Sequence, residues 1–247
     1  MARYKAVLEY DGTDFIGFQR QVQEPTIQGE LESALTRING GIPVSISGAG
    51  RTDSGVHASG QVVAFNLEWR HDGATLIKAI NFNLPRSIAV RQIAGCDPKF
   101  HPRFDARGRR YRYTIYNAVM RSPLRERFAW WVPELLDLKT VQQASEMLIG
   151  RKDFATFGSA PIEGGHTVRE VREARWDVVE NEQLFNFYIG ADAFLYRMVR
   201  SIVGALKRVG SGETSLAEFE EAARAADRSR SGKIAPPNGL CLIEVIY

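Results

Sequence analysis

The sequence predicts an α+β protein made of two similar halves, each running strand, helix, strand, strand, helix, strand. Three observations predict it. Segments of period-two alternation, such as Tyr4-Lys-Ala-Val-Leu-Glu-Tyr10, take turns with segments of helical spacing. The same order of elements is met twice along the chain, although self-similarity of the residues themselves is weak. The 247 residues, 44% hydrophobic and 25% charged, suffice for one large core or two smaller ones.

The first half opens on the strand over 4–10 and a polar loop over 11–25. A helix follows over 26–38, because Ile27, Leu31, Ala34, Leu35 and Ile38 recur at helical spacing, Thr26 stands at the N-cap position and Asn39-Gly40-Gly41 stops it. Strands over 43–47 and 61–65 flank a glycine-punctuated loop, and a helix over 74–82 and a strand over 87–93 close the unit. In the second half a strand over 108–117 precedes a helix over 138–149 and paired strands over 170–179 and 183–189. A helix over 194–209, an inserted helix over 216–226 and a last strand over 240–247 complete it. This element order is ferredoxin-like or RRM-like in both halves, with antiparallel sheets expected to abut and an active-site cleft between them. The expected domains are 1–100, carrying the loop with Asp53, and 108–247, with 101–108 as the linker. The loops over 121–133 and 157–168 read as substrate-facing flaps or as disordered segments.

No stretch approaches the roughly 20 apolar residues of a membrane span, and the start lacks the apolar core of a signal peptide, so the cytoplasm is the expected location. Cys96 and Cys241 stand far apart with no His/Cys cluster, and neither disulfide nor structural metal is expected. The net charge of +3 is small but unevenly spread: nine Lys/Arg lie between Lys99 and Arg127 against Asp105 and Glu126, whereas acids gather over 213–227. Such polarity turns one face toward phosphate, or is simply a solvated basic surface.

Chemistry concentrates in Gly48-Ala-Gly-Arg-Thr-Asp-Ser-Gly-Val-His-Ala-Ser-Gly-Gln61. Small residues at every turn allow close approach of backbone or substrate, and an Arg51 and Asp53 two apart on a loop clamped by strands suit a site. They read equally as a solvated pair in a long hairpin. On the strand over 108–116, Tyr111, Tyr113 and Ile115 face one way, and Arg110, Arg112, Thr114 and Tyr116 the other. Rings that stack on bases beside guanidinium groups that meet phosphates suit unpaired RNA, while half-buried core tyrosine is the commoner reason for any one ring. Along the helix over 194–209, Leu195, Met198, Val199, Ile202, Leu206 and Val209 form the buried stripe. Arg200 falls beside it, on the side of Tyr196 and Lys207, where its head either holds a carboxylate ionised or lies at the surface with a packed stem. Asp11 and Asp14 with Asp53 match no dedicated cation loop, His57 fits a structural hydrogen bond better than a general base, and the glycines lack the Lys-Ser/Thr of a triphosphate cradle.

Taken together, Tyr10-Asp-Gly-Thr-Asp-Phe-Ile-Gly-Phe-Gln19, Thr26-Ile-Gln-Gly-Glu-Leu-Glu32, Gly50-Arg-Thr-Asp-Ser-Gly-Val-His-Ala58, Tyr111-Arg-Tyr113, Met198-Val-Arg-Ser-Ile-Val-Gly204 and Gly232-Lys-Ile-Ala-Pro-Pro-Asn-Gly-Leu240 closely resemble the tRNA pseudouridine synthase A family, in order across essentially the whole chain. Ser54 departs from the family's frequent Ala, and Lys233-Ile-Ala-Pro-Pro from its common Pro-Thr-Ala-Pro-Ala. The resemblance implies isomerisation of uridine to pseudouridine at tRNA positions 38, 39 and 40 by a homodimer without cofactor or metal. It implies Asp53 as nucleophile, Tyr111 stacked on the target base, Arg51 helping to extrude it and Arg200 paired with Asp53. A non-catalytic RNA-binding protein of two sheet modules is the alternative, and a metal-dependent nuclease the third reading.

Overall fold

A computed structural model describes residues 1–22, 24–160, 164–179 and 183–247. The chain forms two compact units, one of residues 1–107 together with 241–247, the other of residues 108–240.

In the first unit, strands β1 (Ala2–Tyr10), β3 (His57–Leu67) and β4 (Ile88–Gly95) pair antiparallel in the order β4-β1-β3. The short β2 (Ile46–Gly48) adds antiparallel to β3 opposite Val63, Ala64 and Phe65. Helix α1 (Ile27–Ile38) forms where the apolar spacing and cap require it: the Thr26 side chain accepts from the Gly29 N–H at 3.2 Å, and Ile27, Leu31, Ala34 and Leu35 are buried. Helix α2 (Gly73–Asn83) starts on an Asp72 cap and buries Leu76 and Ile80. With Leu8, Val63, Phe65 and Val90 these side chains make the core of the unit, each buried leucine or isoleucine contributing about 1.5–3 kcal/mol.

Several boundaries differ from those expected, and β2 is confined to Ile46–Gly48 rather than 43–47. β3 begins at His57 rather than at 61, because Ala58 pairs with Tyr10 on one side and with Leu242 on the other, so the connection carrying Asp53 is only 49–56. The final strand β10 (Leu240–Ile246), counted above with the second half, runs parallel beside β3 with Cys241 opposite His57, and residues 241–247 cluster with the first unit.

In the second unit, β5 (Gly108–Asn117), β9 (Leu184–Ala191), β8 (Val168–Val178) and β7 (Gly150–Asp153) lie in that antiparallel order. β6 (Trp130–Val132) pairs parallel with β5. β6 and β7 were not expected; the first falls within the 121–133 loop, which is therefore partly ordered into the sheet. Of the 157–168 loop, residues 161–163 lie outside the described residues. Helix α3 (Leu138–Glu146) stops short of 149, and Leu148 turns into the core on a bond from its N–H to the Ser145 carbonyl. Helix α4 (Met198–Gly210) buries Met198, Val199, Ile202, Val203, Leu206 and Val209. It starts four residues later than the periodicity predicts: Tyr196 bridges to Ser159 and Arg197 takes a left-handed φ of 60°, so Tyr196 is not on the helix beside Arg200. Helix α5 (Leu216–Arg224) follows with a full capping box between Ser215 and Glu218.

Candidate active site

In the first unit, the loop with Asp53 is shaped by a segment far from it in sequence. Phe18 N–H donates to the Thr52 carbonyl at 3.0 Å, and Gly55 N–H and Ser54 Oγ donate to the Phe15 carbonyl at 3.3 and 3.2 Å. Val56 N–H closes a turn onto the Asp53 carbonyl at 3.1 Å, with Gly55 at φ 76° in the third position that demands glycine. Backbones meet so closely that a Cβ on Gly12 would lie 2.0 Å from the Val56 carbonyl oxygen, and one on Gly17, itself at φ 84°, 2.7 Å from the Thr52 oxygen. Underneath, the buried Tyr10 hydroxyl and Thr52 Oγ1 share a hydrogen bond of 2.8 Å, and fully buried Gln61 donates from Nε2 to the Gly50 carbonyl at 2.9 Å. Asp53 is therefore half-buried on a loop tied at Gly50, Thr52, Asp53, Ser54 and Gly55. Arg51 stands exposed, with no hydrogen bond or ion pair to any described residue.

His57 is structural. Gly12 N–H donates to its Nδ1 at 3.0 Å, and the same nitrogen lies 3.2 Å from Asp11 Oδ1. Asp11 Oδ1 takes its hydrogens from Thr13, at 3.1 Å from N and 2.6 Å from Oγ1, as an aspartate in a turn does.

In the second unit, Tyr111 is 9% exposed and packs edge-on against Phe194, with centroids 5.0 Å apart and planes at 86°. Tyr113 is wholly buried, and its hydroxyl donates to the Pro236 carbonyl at 2.8 Å. Burial pushes its phenol well above the usual range, opposed by the nearby Arg200 guanidinium. Tyr113 is thus core, not a surface for bases. Arg200, in the first turn of α4, donates from Nε to the Ala235 carbonyl at 2.8 Å and accepts the Ala235 N–H on its own carbonyl at 3.1 Å.

The basic stretch is partly neutralised, both by Glu173 from elsewhere and by its own Glu126. Arg110 forks onto Glu173 at 2.6 and 2.8 Å, Arg175 adds a bond to Glu173 at 2.9 Å, and Arg121 forks onto Glu126 at 2.9 Å twice. The Arg110 hydrogen bonds hold the Glu173 carboxyl below the usual carboxylate range. Arg112, by contrast, keeps a buried Nε that meets no acceptor.

Sequence reasoning passed over Gly12, Gly17 and the 233–239 segment as site architecture. The only signal was glycine in a polar loop and the terminal motif itself.

A family model described as tRNA pseudouridine synthase matches residues 6–105 and 144–247. The chain is similar to proteins named tRNA pseudouridine synthase A from Sinorhizobium fredii, 39% identical with all of both chains covered, and Brevibacillus brevis, 41% identical with the same coverage. It is 40% identical to that of Syntrophotalea carbinolica, with all of this chain and 97% of the relative covered. A crystal structure of a Cbf5-Nop10-Gar1 complex is similar over 82% of this chain and 53% of that one, at a TM-score of 0.37 and 11% identity, too distant to carry weight.

Proposed function

This chain belongs to the tRNA pseudouridine synthase family and isomerises uridine to pseudouridine in tRNA; we propose that its targets are the uridines at positions 38 to 40 of the anticodon arm and that Asp53 is the nucleophile. The observation that carries this is a single half-buried carboxylate on a loop fixed by backbone hydrogen bonds to Phe15 and Phe18, next to an exposed and unpaired arginine. Exchanging a C–N for a C–C glycosidic link is redox-neutral. Attack at the sugar C1′, attack at C6 and removal of the C2′ proton all begin from an ionised carboxylate.

A stacked uridine is out of reach of that carboxylate, so the nucleotide must flip, at a cost of a few kcal/mol. In this reading Arg51 enters the space the base leaves, Tyr111 stacks on the flipped uracil with its ring plane held by Phe194, and Arg200 keeps Asp53 charged. The enzyme works in the cytoplasm as a homodimer, on tRNA alone and without cofactor.

Tritium release from tRNA carrying 5-tritiated uridine tests the proposal. Wild type is expected to release label, and Asp53→Asn to lose at least roughly 10³-fold of that rate while binding tRNA as before. A variant within tenfold of wild type removes Asp53 from its role. A wild type that binds tRNA but releases nothing leaves the non-catalytic alternative.

A further inference from the structure

Residues 233–239 form a strap across the second unit, seated on α4 and β5 through glycines. A Cβ on Gly204 of α4 would lie 2.0 Å from the Lys233 carbonyl oxygen, and one on Gly239 would lie 2.6 Å from the Tyr113 ring and 2.7 Å from the Thr114 oxygen. Between these two contacts, consecutive strap carbonyls take donors from two side chains, Ala235 from Arg200 Nε and Pro236 from the Tyr113 hydroxyl, both at 2.8 Å. Asn238 adds bonds to the carbonyls of Glu126 and Ala129, the latter at 2.9 Å.

A guanidinium whose Nε donates to a carbonyl is held on that side, so whatever sets the carbonyl bears on how the guanidinium is set. The Pro236 carbonyl has no neighbouring amide of its own to settle it, because proline lacks an N–H and residue 237 is proline as well. A phenol reaching out of the core is what sets that peptide plane, one residue from the plane that orients Arg200.

We infer that Tyr113 is a positioning residue for Arg200, acting through the adjoining carbonyls of Ala235 and Pro236. The inference rests on the reading that Arg200 keeps Asp53 ionised. It gives the second tyrosine of Tyr111-Arg-Tyr113 and the motif Gly232-Lys-Ile-Ala-Pro-Pro-Asn-Gly-Leu240 one shared task, although they are far apart in sequence.

Full-length protein is assayed by single-turnover tritium release, with tRNA affinity and thermal melts measured alongside. Tyr113→Phe keeps the buried ring and removes only the donor. It is expected to lower the rate about 10- to 100-fold and to leave tRNA affinity unchanged. Gly204→Ala, which displaces the strap from α4 without touching Tyr113, is expected to do the same. In an Arg200→Gln background neither change should lower the rate further. An undiminished rate in Arg200→Gln sinks the parent reading of Arg200; a slowed Arg200→Gln beside a wild-type Tyr113→Phe sinks only the positioning role. Losses that repeat in full on top of Arg200→Gln, or both variants melting before assay temperature, assign the strap to scaffolding and overturn the inference.

Discussion

Asp53 and Arg200 are held by opposite means. The Asp53 loop is fixed by main chain against main chain, with Gly12 and Gly17 allowing two backbones to touch and side chains serving only underneath, at Tyr10–Thr52 and Gln61–Gly50. Arg200 shares one main-chain bond with Ala235, and beyond it the contact is made by side-chain donors on strap carbonyls, its own Nε and the Tyr113 hydroxyl. A loop anchored by backbone resists side-chain truncation and fails when bulk is added. A guanidinium anchored through side chains fails when one donor is removed.

The largest effect that could break this contrast comes from Gly12→Ala. The added methyl meets the Val56 carbonyl at a built distance of 2.0 Å, and we expect a loss of about 3 kcal/mol of stability in urea titration together with activity. A neutral Gly12→Ala would mean that the loop moves freely and is not anchored by backbone. Tyr10→Phe should cost about 1 kcal/mol, since it deletes one buried hydrogen bond and leaves the bonds from Phe18 and Gly55 in place. A rate loss in Tyr10→Phe as large as in Tyr113→Phe would erase the distinction between the two anchorages.

A smaller effect concerns pH. Glu173 sits below the ordinary carboxylate range because Arg110 hydrogen-bonds its ionised form. A depressed folded value means that its stabilisation is present above the unfolded value of about 4.3 and is lost as pH falls through that range and below. Glu173→Gln should be less stable than wild type at pH 7, and the difference should shrink as pH falls below the ordinary carboxylate range, read from urea midpoints. A gap that persists in acid would show that packing rather than charge holds Glu173.

What the sequence made legible was local. β5 runs over the residues expected because alternation and a glycine start coincide there, and α1 does so because Thr26 and Asn39 mark its ends. Asp53 stood out through the glycines around it. What stayed hidden was set by distant partners: the start of β3 by Tyr10 and Leu242 on either side of Ala58, the start of α4 by the Tyr196–Ser159 bridge and the left-handed Arg197. Phe194 and Leu195 continue the apolar spacing of that helix, so no periodicity could have excluded them. Tyr113 looked like Tyr111 because alternation assigns a face and not its depth, and its interior place is set by distant partners such as Gly239 and Trp130 against its ring.

One consequence lies in the order of synthesis. β10 is translated only after residues 108–240, yet it lies against β3 beside His57 and Ala58, with Gly60 making room for the Ile243 carbonyl. The nascent amino-terminal unit therefore waits with part of the β3 margin uncovered until the second unit has been translated, so synthesis of β10 gates when the sheet behind the Asp53 loop becomes whole.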